Sequence, residues 1–503
     1  MSLRKINTAL ISVFDKDGIE YILKTLNKFN IKIISTEGTK KNIEKLGYKI
    51  HSVEGLTGYP SVFGGRVKTL HPSILGGILM RDRDREEAKK FGIQPIDLVI
   101  VDLYPFEESV KSNKTHQEII EKIDIGGISL IRAAAKNYER TLVISHRKQY
   151  EKLSNLLEEK QGHTDINDRK FFAIEAFMLT SYYDTKIFQY LNSNPFKALK
   201  ISEHETYTLR YGENPHQKAK FFGNLEEIFT QLHGKHISYN NLLDIDAAIN
   251  LITEFEAATV AIIKHTNPCG LASNSVLSKA WDQAIEGDPE AAFGGIIVVN
   301  REIDLETAKK INKLFFEIII APAFSKQAVE ILKSKKNRRI LILKNVLKQK
   351  YSIRSALNGY LYQEKDLKRV NSSDLKFVTN RKPQKQELED LLFANKIVKH
   401  LKSNAIAIVK NKQLIGSGMG QPSRVDSIRQ AINKAKRFNF DLQGAVLASD
   451  AFFPFADSVE LAYNEGIRAI IQPGGSIRDQ ESINFCNSHN IAMIFTNTRH
   501  FKH

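Results

Sequence analysis

A lysine and a histidine stand side by side at Lys264-His265, after the apolar run 260–263 and before Asn267, Pro268 and Gly270. A histidine exchanges protons near neutral pH, and a lysine withdrawn from water can be tuned toward that range. Placed at a strand's end they form a candidate acid–base pair; a solvated basic turn is the other reading of the same residues. Three further strings set donors beside glycines. GGRVKTLHP (64–72) carries Arg66, Lys68, Thr69 and His71; IDIGGISLIRAAAKN (123–137) carries Asp124, a double glycine and Lys136. STEGTK (35–40) puts hydroxyls and a glycine between a strand and a helix, where free backbone N–H groups favour a phosphate, although Ser and Thr are also ordinary helix caps. Lys, Arg, Tyr, His and Asn in such places bind anions and stabilise developing negative charge.

Other chemistries fail on spacing. A zinc nucleobase deaminase needs HxE and PCxxC, whereas NPCG (267–270) supplies one cysteine with no HxE before it. GSGMG (416–420) lacks the GK[ST] ending of a P-loop, and no GxGxxG follows a strand. Neither triphosphate hydrolysis nor hydride transfer has support, and no catalytic metal is expected.

The elements that must position these groups read as α/β. TALISVF (8–14), IKII (31–34), DLVIVDLYPF (97–106) and TLVIS (141–145) are strand candidates, and Ile19, Ile22, Leu23, Leu26 and Phe29 line one helical face. Their alternation predicts a doubly wound sheet over about 145 residues, followed by helical segments across 148–192. PFKALKISEHETYT (195–208) reads as a connection. Beyond LRYGENPHQ (209–217), an order of helix, strand, turn, helix, strand, helix, strand runs to 322 and recurs from 386, predicting a duplicated α/β unit. Asn267, Pro268 and Gly270 are expected to end their strand, 416–424 to form a glycine-rich turn, and 333–350 a basic connection.

A chain of 503 residues suggests two to four domains at about 150 residues each. Its 42% hydrophobic content supports large cores. Two cysteines, Cys269 and Cys486, exclude a disulfide framework or a cysteine-rich zinc site and suit a reducing cytosol. No apolar run approaches the roughly 18–20 residues of a membrane span. The N-terminal apolar run meets Asp15, Lys16 and Asp17 without a cleavage site, so it reads as a first strand, and the protein is expected to be soluble and cytoplasmic. The net charge of +16 suits nucleic acid, an anionic surface or small phosphorylated substrates. Without an RNP aromatic motif or zinc-finger spacing, small anions are favoured over nucleic acid.

Taken in order, LISVFDK (10–16), ISTEGT (34–39), GGRVKTLHP, LYPF (103–106), IDIGG (123–127), RAAAKN (132–137), LRYGENPHQ, SYNN (238–241), KHTNPCG (264–270), AFGGII (292–297), IIAP (319–322), KSNAI (402–406), SDAFFPF (449–455), QPGGSIRD (472–479) and RHFKH (499–503) span nearly the whole chain. Together they resemble the bifunctional purine-biosynthesis enzymes that are both aminoimidazole carboxamide ribonucleotide (AICAR) formyltransferase and IMP cyclohydrolase. The resemblance implies a methylglyoxal-synthase-like, doubly wound cyclohydrolase domain over 1–198. It implies a transformylase domain over 199–503, made of two cytidine-deaminase-like halves (about 199–380 and 381–503) without zinc. It also implies 10-formyltetrahydrofolate as cosubstrate, AICAR, formyl-AICAR and IMP as substrates and product, and a homodimer whose transformylase sites draw on both subunits, with no nucleic acid or membrane partner.

Carried over by motif, the cyclohydrolase site would hold Lys68, Tyr104, Asp124 and Lys136 around the reacting groups. Ser12, Lys16, Ser35, Gly38, Thr39, Arg66, Thr69, Asp102, Gly126 and Gly127 would surround the nucleotide. The formamide carbonyl gains negative charge as a nitrogen attacks it, which cationic or hydroxyl donors stabilise, and closure is intramolecular. In the transformylase site the resemblance gives His265 the amine's proton and Lys264 the oxyanion or the departing folate nitrogen. Asn404 would position the formyl oxygen. Arg210, Tyr211, Arg424, Arg499 and His503 would hold the nucleotide, and Gly294, Glu317, Phe452 and Asp457 would line the site or the folate pocket. The chain departs from the family at Asp102, where asparagine is usual, at Ala292, where serine is common, and at Ala323, where glycine is. A carboxylate at 102 loses an amide donor and adds charge near the substrate, so a transformylase with an impaired cyclohydrolase is one alternative; a basic nucleic-acid-binding protein is the other.

Overall fold

The computed structural model describes residues 3–346 and 349–503. The chain divides into two compact units, Met1–His204 and Glu205–His503.

The first unit is built on a five-stranded parallel sheet in the spatial order His51–Ser52, Lys32–Ser35, Thr8–Ser12, Leu98–Val101, Leu142–Ile144. Its inner strands are continuous apolar runs, as a sheet covered on both faces requires. Leu10, Ile34, Val99 and Val143 are fully buried among Ile22, Leu26, Leu130 and Leu153 from the covering helices. From the central strand Thr8–Ser12 the chain winds first to one side, then to the other. The carboxyl ends of Thr8–Ser12 and its neighbours therefore border the crevice where such sheets hold ligands. The strand expected over 97–106 stops at Val101. Asp102 turns to the loop after the central strand, and Phe106–Lys111 is already helical.

The second unit is organised around a twelve-stranded sheet containing two copies of one pattern. The first copy runs helix Tyr239–Ile252, hairpin Thr259–Lys264 and Asn267–Ser273, helix Leu277–Glu286, then strands Ile296–Val299, Ile318–Ala321 and Arg339–Leu343 with helices between. In the second, helix Lys385–Val398 precedes the hairpin Ile406–Lys410 and Gln413–Gly418. Helix Arg424–Arg437 and strands Val446–Ser449, Ala469–Gln472 and Ala492–Phe495 follow. In both, the first hairpin strand pairs antiparallel with the next strand, and the last three strands are mutually parallel. The copies join where Ala272 faces Gln413.

Three sequence expectations are corrected. Asn267, Pro268 and Gly270 do not end the sheet; they form the returning hairpin strand, and the turn is the pair His265-Thr266. Pro268 is tolerated because the register shifts between Ile262 and Ile263, the bulge at which a strand can hold proline. A Cβ on Gly270 would come within 2.0 Å of the Ala284 carbonyl oxygen, and one on Gly416 within 2.4 Å of that of Ala431. Each glycine thus lets a helix press on its hairpin, and Gly416–Gly418 is strand rather than loop. Within the expected connection 333–350, Arg339–Leu343 is a strand; residues 347–348 lie outside those described. No helix among the described residues is long and apolar enough to cross a membrane.

Candidate active sites

At the carboxyl edge of the first unit's sheet, Ser12 Oγ meets Thr36 Oγ1 at 3.2 Å. Thr36 therefore gives no side-chain cap to the helix Glu37–Lys45 that it precedes. An uncapped helix start at this edge is suited to a phosphate. A Cβ on Gly38 would meet nothing within 4 Å, so the space in front of the helix is open. Lys16 Nζ donates to the carbonyls of Val13 and Phe14 at 2.9 and 2.7 Å, fixing its charge over the same loop. Two expected ligand groups are turned inward. Ser35 Oγ donates to Ile11 O at 2.7 Å, and Thr39 Oγ1 accepts Val13 N–H at 3.2 Å and donates to Val13 O at 3.1 Å. Both hydroxyls are buried and brace the strand ends.

Asp102 accepts the N–H of Phe14 on one carboxylate oxygen and that of Asp15 at 3.0 Å on the other. Burial pushes this carboxyl above its usual range, against the pull of the two amides. Asp124 Oδ1 accepts Gly127 N–H at 2.6 Å. Burial raises the Asp124 carboxyl too, opposed by that amide, by the Lys68 charge and by the Tyr104 N–H. The Tyr104 hydroxyl is pushed up by burial first, then by Asp124 and Asp102. Lys68, Tyr104 and Asp124 thus gather at the start of helix Gly126–Lys136, with Thr69 Oγ1 only 3.0 Å from where a Cβ on Gly126 would sit. Gly127 is held to glycine by Asp124, which a Cβ would approach to 2.5 Å, and its amide is already spent on that carboxylate.

Lys136 is not part of this group within one chain. It ends the 11-residue helix that Gly126 begins, about 15 Å away at 1.5 Å per residue. Its neighbour Asn137 donates to Ile78 and Met80 carbonyls, at the far end of helix Pro72–Leu79. Arg66 pairs with Glu121 at 3.2 Å on the surface.

In the second unit, Lys264 Nζ donates to the carbonyls of Phe293 and Gly294, each at 3.1 Å. Gly294 has a φ of 70°, and a Cβ there would stand 3.2 Å from the Lys264 nitrogen. His265 is exposed beside it in a two-residue turn, with φ 51° at His265 and 64° at Thr266. A left-handed pair matches the twist of a hairpin but normally calls for Asn-Gly, and a β-branched residue there is strained by roughly 1–3 kcal/mol. Glu317 accepts from Asn241 Nδ2 at 2.9 Å and faces Arg339 at 3.7 Å. Burial lowers the Arg339 guanidinium, with Glu317, Tyr211 and Arg210 the charges nearest it. Glu317 faces Arg339, and Tyr211 and Arg210 lie near enough to act on its charge. Sequence reading missed Arg339, which sat inside an apparently plain basic stretch; its signal was the apolar run ILIL directly after it.

A separate cluster surrounds Asn404. Arg424 donates to Asp450 Oδ1 at 2.5 Å, to Ser449 Oγ at 2.8 Å and to Asn404 Oδ1 at 2.7 Å. Asp450 is fully buried and Arg424 nearly so. Asn404 Nδ2 donates to the carbonyls of Gln421 and Pro422 at 2.9 and 3.0 Å. The amide expected to meet a formyl oxygen has both hydrogens committed, and Arg424 is first a brace for it. Lys502 N–H reaches Ser403 Oγ and His500 N–H reaches Asp450 O, tying the tail to the same place. In that tail Arg499 lies 4.4 Å over the Phe501 ring, and His503 packs edge-on to it at 5.9 Å. Phe452 and Asp457 are exposed. The strand ending at Lys264 and the one following Asn404 are three places apart in the sheet, about 14 Å at 4.8 Å per strand. One chain therefore presents two partial sites here.

Known proteins resemble this chain along nearly its whole length. A family model described as the AICARFT/IMPCHase bienzyme matches residues 134–434, and one for an MGS-like domain matches residues 18–129. The bifunctional purine biosynthesis protein PurH of Bacteroides thetaiotaomicron is 53% identical over 503 residues, covering 99% of each chain. Proteins of the same name from Aquifex aeolicus (47% over 511 residues, 98% of this chain and 100% of the relative) and Persephonella marina (46% over 514 residues, 98% and 99%) are also similar.

Proposed function

This chain belongs to the AICARFT/IMPCHase bienzyme family, and on that premise we propose how its residues divide the family's two reactions. It is a bifunctional enzyme of purine biosynthesis, with AICAR formyltransferase and IMP cyclohydrolase activities.

The first unit carries ring closure. The nucleotide's phosphate sits at the uncapped start of helix Glu37–Lys45, with Ser12, Lys16 and Gly38 around it. The carboxamide nitrogen attacks the formyl carbon, a C–N bond forms, and the carbonyl oxygen becomes an alkoxide. Lys68 and the Tyr104 hydroxyl stabilise that charge, with the Asp124 carboxylate close enough to act on both. The attacking nitrogen loses one proton and the formamide nitrogen the other as its C=N bond forms, while the oxygen gains two protons and leaves as water. Holding the two reacting groups in contact supplies much of the acceleration, about several kcal/mol.

The second unit moves the formyl group, with 10-formyltetrahydrofolate as donor. His265 takes the proton of the attacking AICAR amine. Lys264 stabilises the oxyanion, and the bond to the folate nitrogen breaks as that nitrogen gains a proton. The exposed aromatic pair Phe293 and Phe315, with ring centroids 5.0 Å apart beside Lys264, suits a flat pterin. The separation of the Lys264 and Asn404 clusters within one chain supports a homodimer in which a second copy completes each site. A cytoplasmic enzyme fits this chemistry.

One observation carries the assignment of Lys264. Its ammonium is held by two carbonyls and forms no ion pair among the described residues, beside an exposed histidine in a strained turn. Lys264→Ala tests it: formyl transfer should be lost while synthetic formyl-AICAR is still converted to IMP. Transfer at the parent rate by that variant removes Lys264 from the mechanism.

A further inference from the structure

The hairpin turn that carries His265 is held by a carboxylate from the preceding helix. Thr266 N–H donates to Asp244 Oδ1 at 2.7 Å. Thr266 is the residue least suited to its own backbone, a β-branched side chain at φ 64°. We propose that Asp244 is the positioning residue for His265, holding the left-handed turn that presents the imidazole beside Lys264. The inference rests on the assignment of His265 as the base for formyl transfer.

The second copy of the fold repeats the device. Asp390 holds in helix Lys385–Val398 the place that Asp244 holds in Tyr239–Ile252. It accepts the amides of Asn411 and Lys412 at 2.8 and 2.7 Å, and those residues form the equivalent turn at φ 52° and 56°. There the carboxylate is 2% exposed and takes both amides. In the first copy it is half-buried, takes one amide, and has His265, Glu317 and Lys264 as its nearest charges. The clamp belongs to the fold; in the first copy the clamped residues are the ones with chemistry to do. Neither Asp244 nor Thr266 stands out in the sequence, where Asp244 lies in a helical stretch and Thr266 follows the Lys264-His265 pair.

The test uses the full chain, with its circular-dichroism spectrum and melting temperature as the measure of intact folding. Asp244→Ala should lower transformylase kcat by about 10–100-fold, the scale of a misplacement of about 1 Å, with KM for AICAR and for the folate changed by less than about threefold. Thr266→Gly, which accepts a left-handed turn without help, should restore most of that kcat in the Asp244→Ala background. Asp244→Asn, which keeps an oxygen for the amide, should retain more activity than Asp244→Ala. Asp390→Ala should lower the melting temperature and leave kcat within about twofold. A parent-like kcat in Asp244→Ala, alongside a dead His265→Ala, overturns the positioning role and leaves the base assignment standing. Loss of kcat that Thr266→Gly fails to restore also overturns it. Full transfer by His265→Ala instead removes the reading on which the proposal rests.

Discussion

Lys264 and Lys410 hold the same place in the two repeats, and only Lys410 meets a carboxylate. Each closes the first strand of its hairpin and reaches the segment before the next strand. Lys410 Nζ donates to Asp441 O at 3.0 Å and pairs with Asp441 Oδ2 at 3.1 Å, while Lys264 finds two carbonyls. Duplication thus supplies its own control: one lysine is neutralised in place, and the other keeps its charge for a ligand. Lys264→Ala should reduce formyl transfer about 10²–10³-fold, the cost of removing one preorganised donor from a developing oxyanion. Lys410→Ala should change it by less than about twofold. Steady-state rates with saturating folate decide the matter, and equal losses would break the comparison.

Asp102 is where this chain departs from its family, and its geometry gives the departure a pH signature. Both carboxylate oxygens are bonded to loop amides, yet burial still raises the carboxyl above 3.8. A group that holds its proton more tightly folded than unfolded supports the fold at low pH. That support is lost as pH rises through the folded value. Asp102→Asn carries no such penalty. Its melting temperature relative to the parent should therefore climb from about pH 4 toward neutrality and then level off. The same change removes negative charge near the phosphate cradle, so IMP formation from formyl-AICAR should quicken. A pH-independent difference between the two proteins would show that Asp102 is not titrating as its burial implies.

Lys68 and Tyr104 are both proposed to act on the same developing charge beside Asp124, so their losses should not multiply. Asp124 feels the Lys68 charge and raises the Tyr104 hydroxyl. Lys68→Ala and Tyr104→Phe should each slow ring closure by about 10²-fold. The double variant should lose less than the product of the two, as groups acting on one charge do. Rates of IMP formation from the four combinations give the coupling directly. A strictly multiplicative result would mean that the two side chains serve different steps.

What the sequence made legible follows from which forces are local. The inner strands of the first unit's sheet are mostly apolar runs, and the double glycine opens the helix expected after it. The duplication was legible as an order of elements. The returning hairpin strands were not, because Asn267-Pro268 and Gly416-Ser417-Gly418 carry turn chemistry; a bulge and a close helix decide otherwise. Arg339 was hidden by neighbouring lysines and arginines, and only the pairing of Ile318 with Arg339 brings it to Glu317. The turn His265-Thr266 was unreadable for a similar reason: its conformation is imposed by Asp244 across the fold, not by its own preferences. Local geometry was easiest to foresee where a side chain's partner is near in sequence, as with Asp124 and the Gly127 amide.

The role of Arg424 divides two readings that affinity alone would confuse. If it grips the nucleotide, weakening it raises KM for AICAR and leaves kcat alone, the mark of uniform binding. If it braces Asn404, the damage falls on kcat. Its contacts favour the second: three of its hydrogen bonds go to Asp450, Ser449 and Asn404, inside the protein. Lysine cannot reproduce that fork, so Arg424→Lys is not conservative here. With the guanidinium gone, Asn404 Oδ1 loses its donor and Asp450, fully buried, loses part of its compensation. The buried carboxylate keeps Ser403 and the Ala405 amide but loses the guanidinium's fork, so the melting temperature should fall as well. Arg424→Lys should lower transformylase kcat about tenfold or more, with KM for AICAR within about threefold, and leave ring closure in the other unit intact. Asn404→Ala should fall on the same axis, and adding Arg424→Lys to it should cost little further kcat. A large rise in KM with kcat preserved would return Arg424 to the nucleotide.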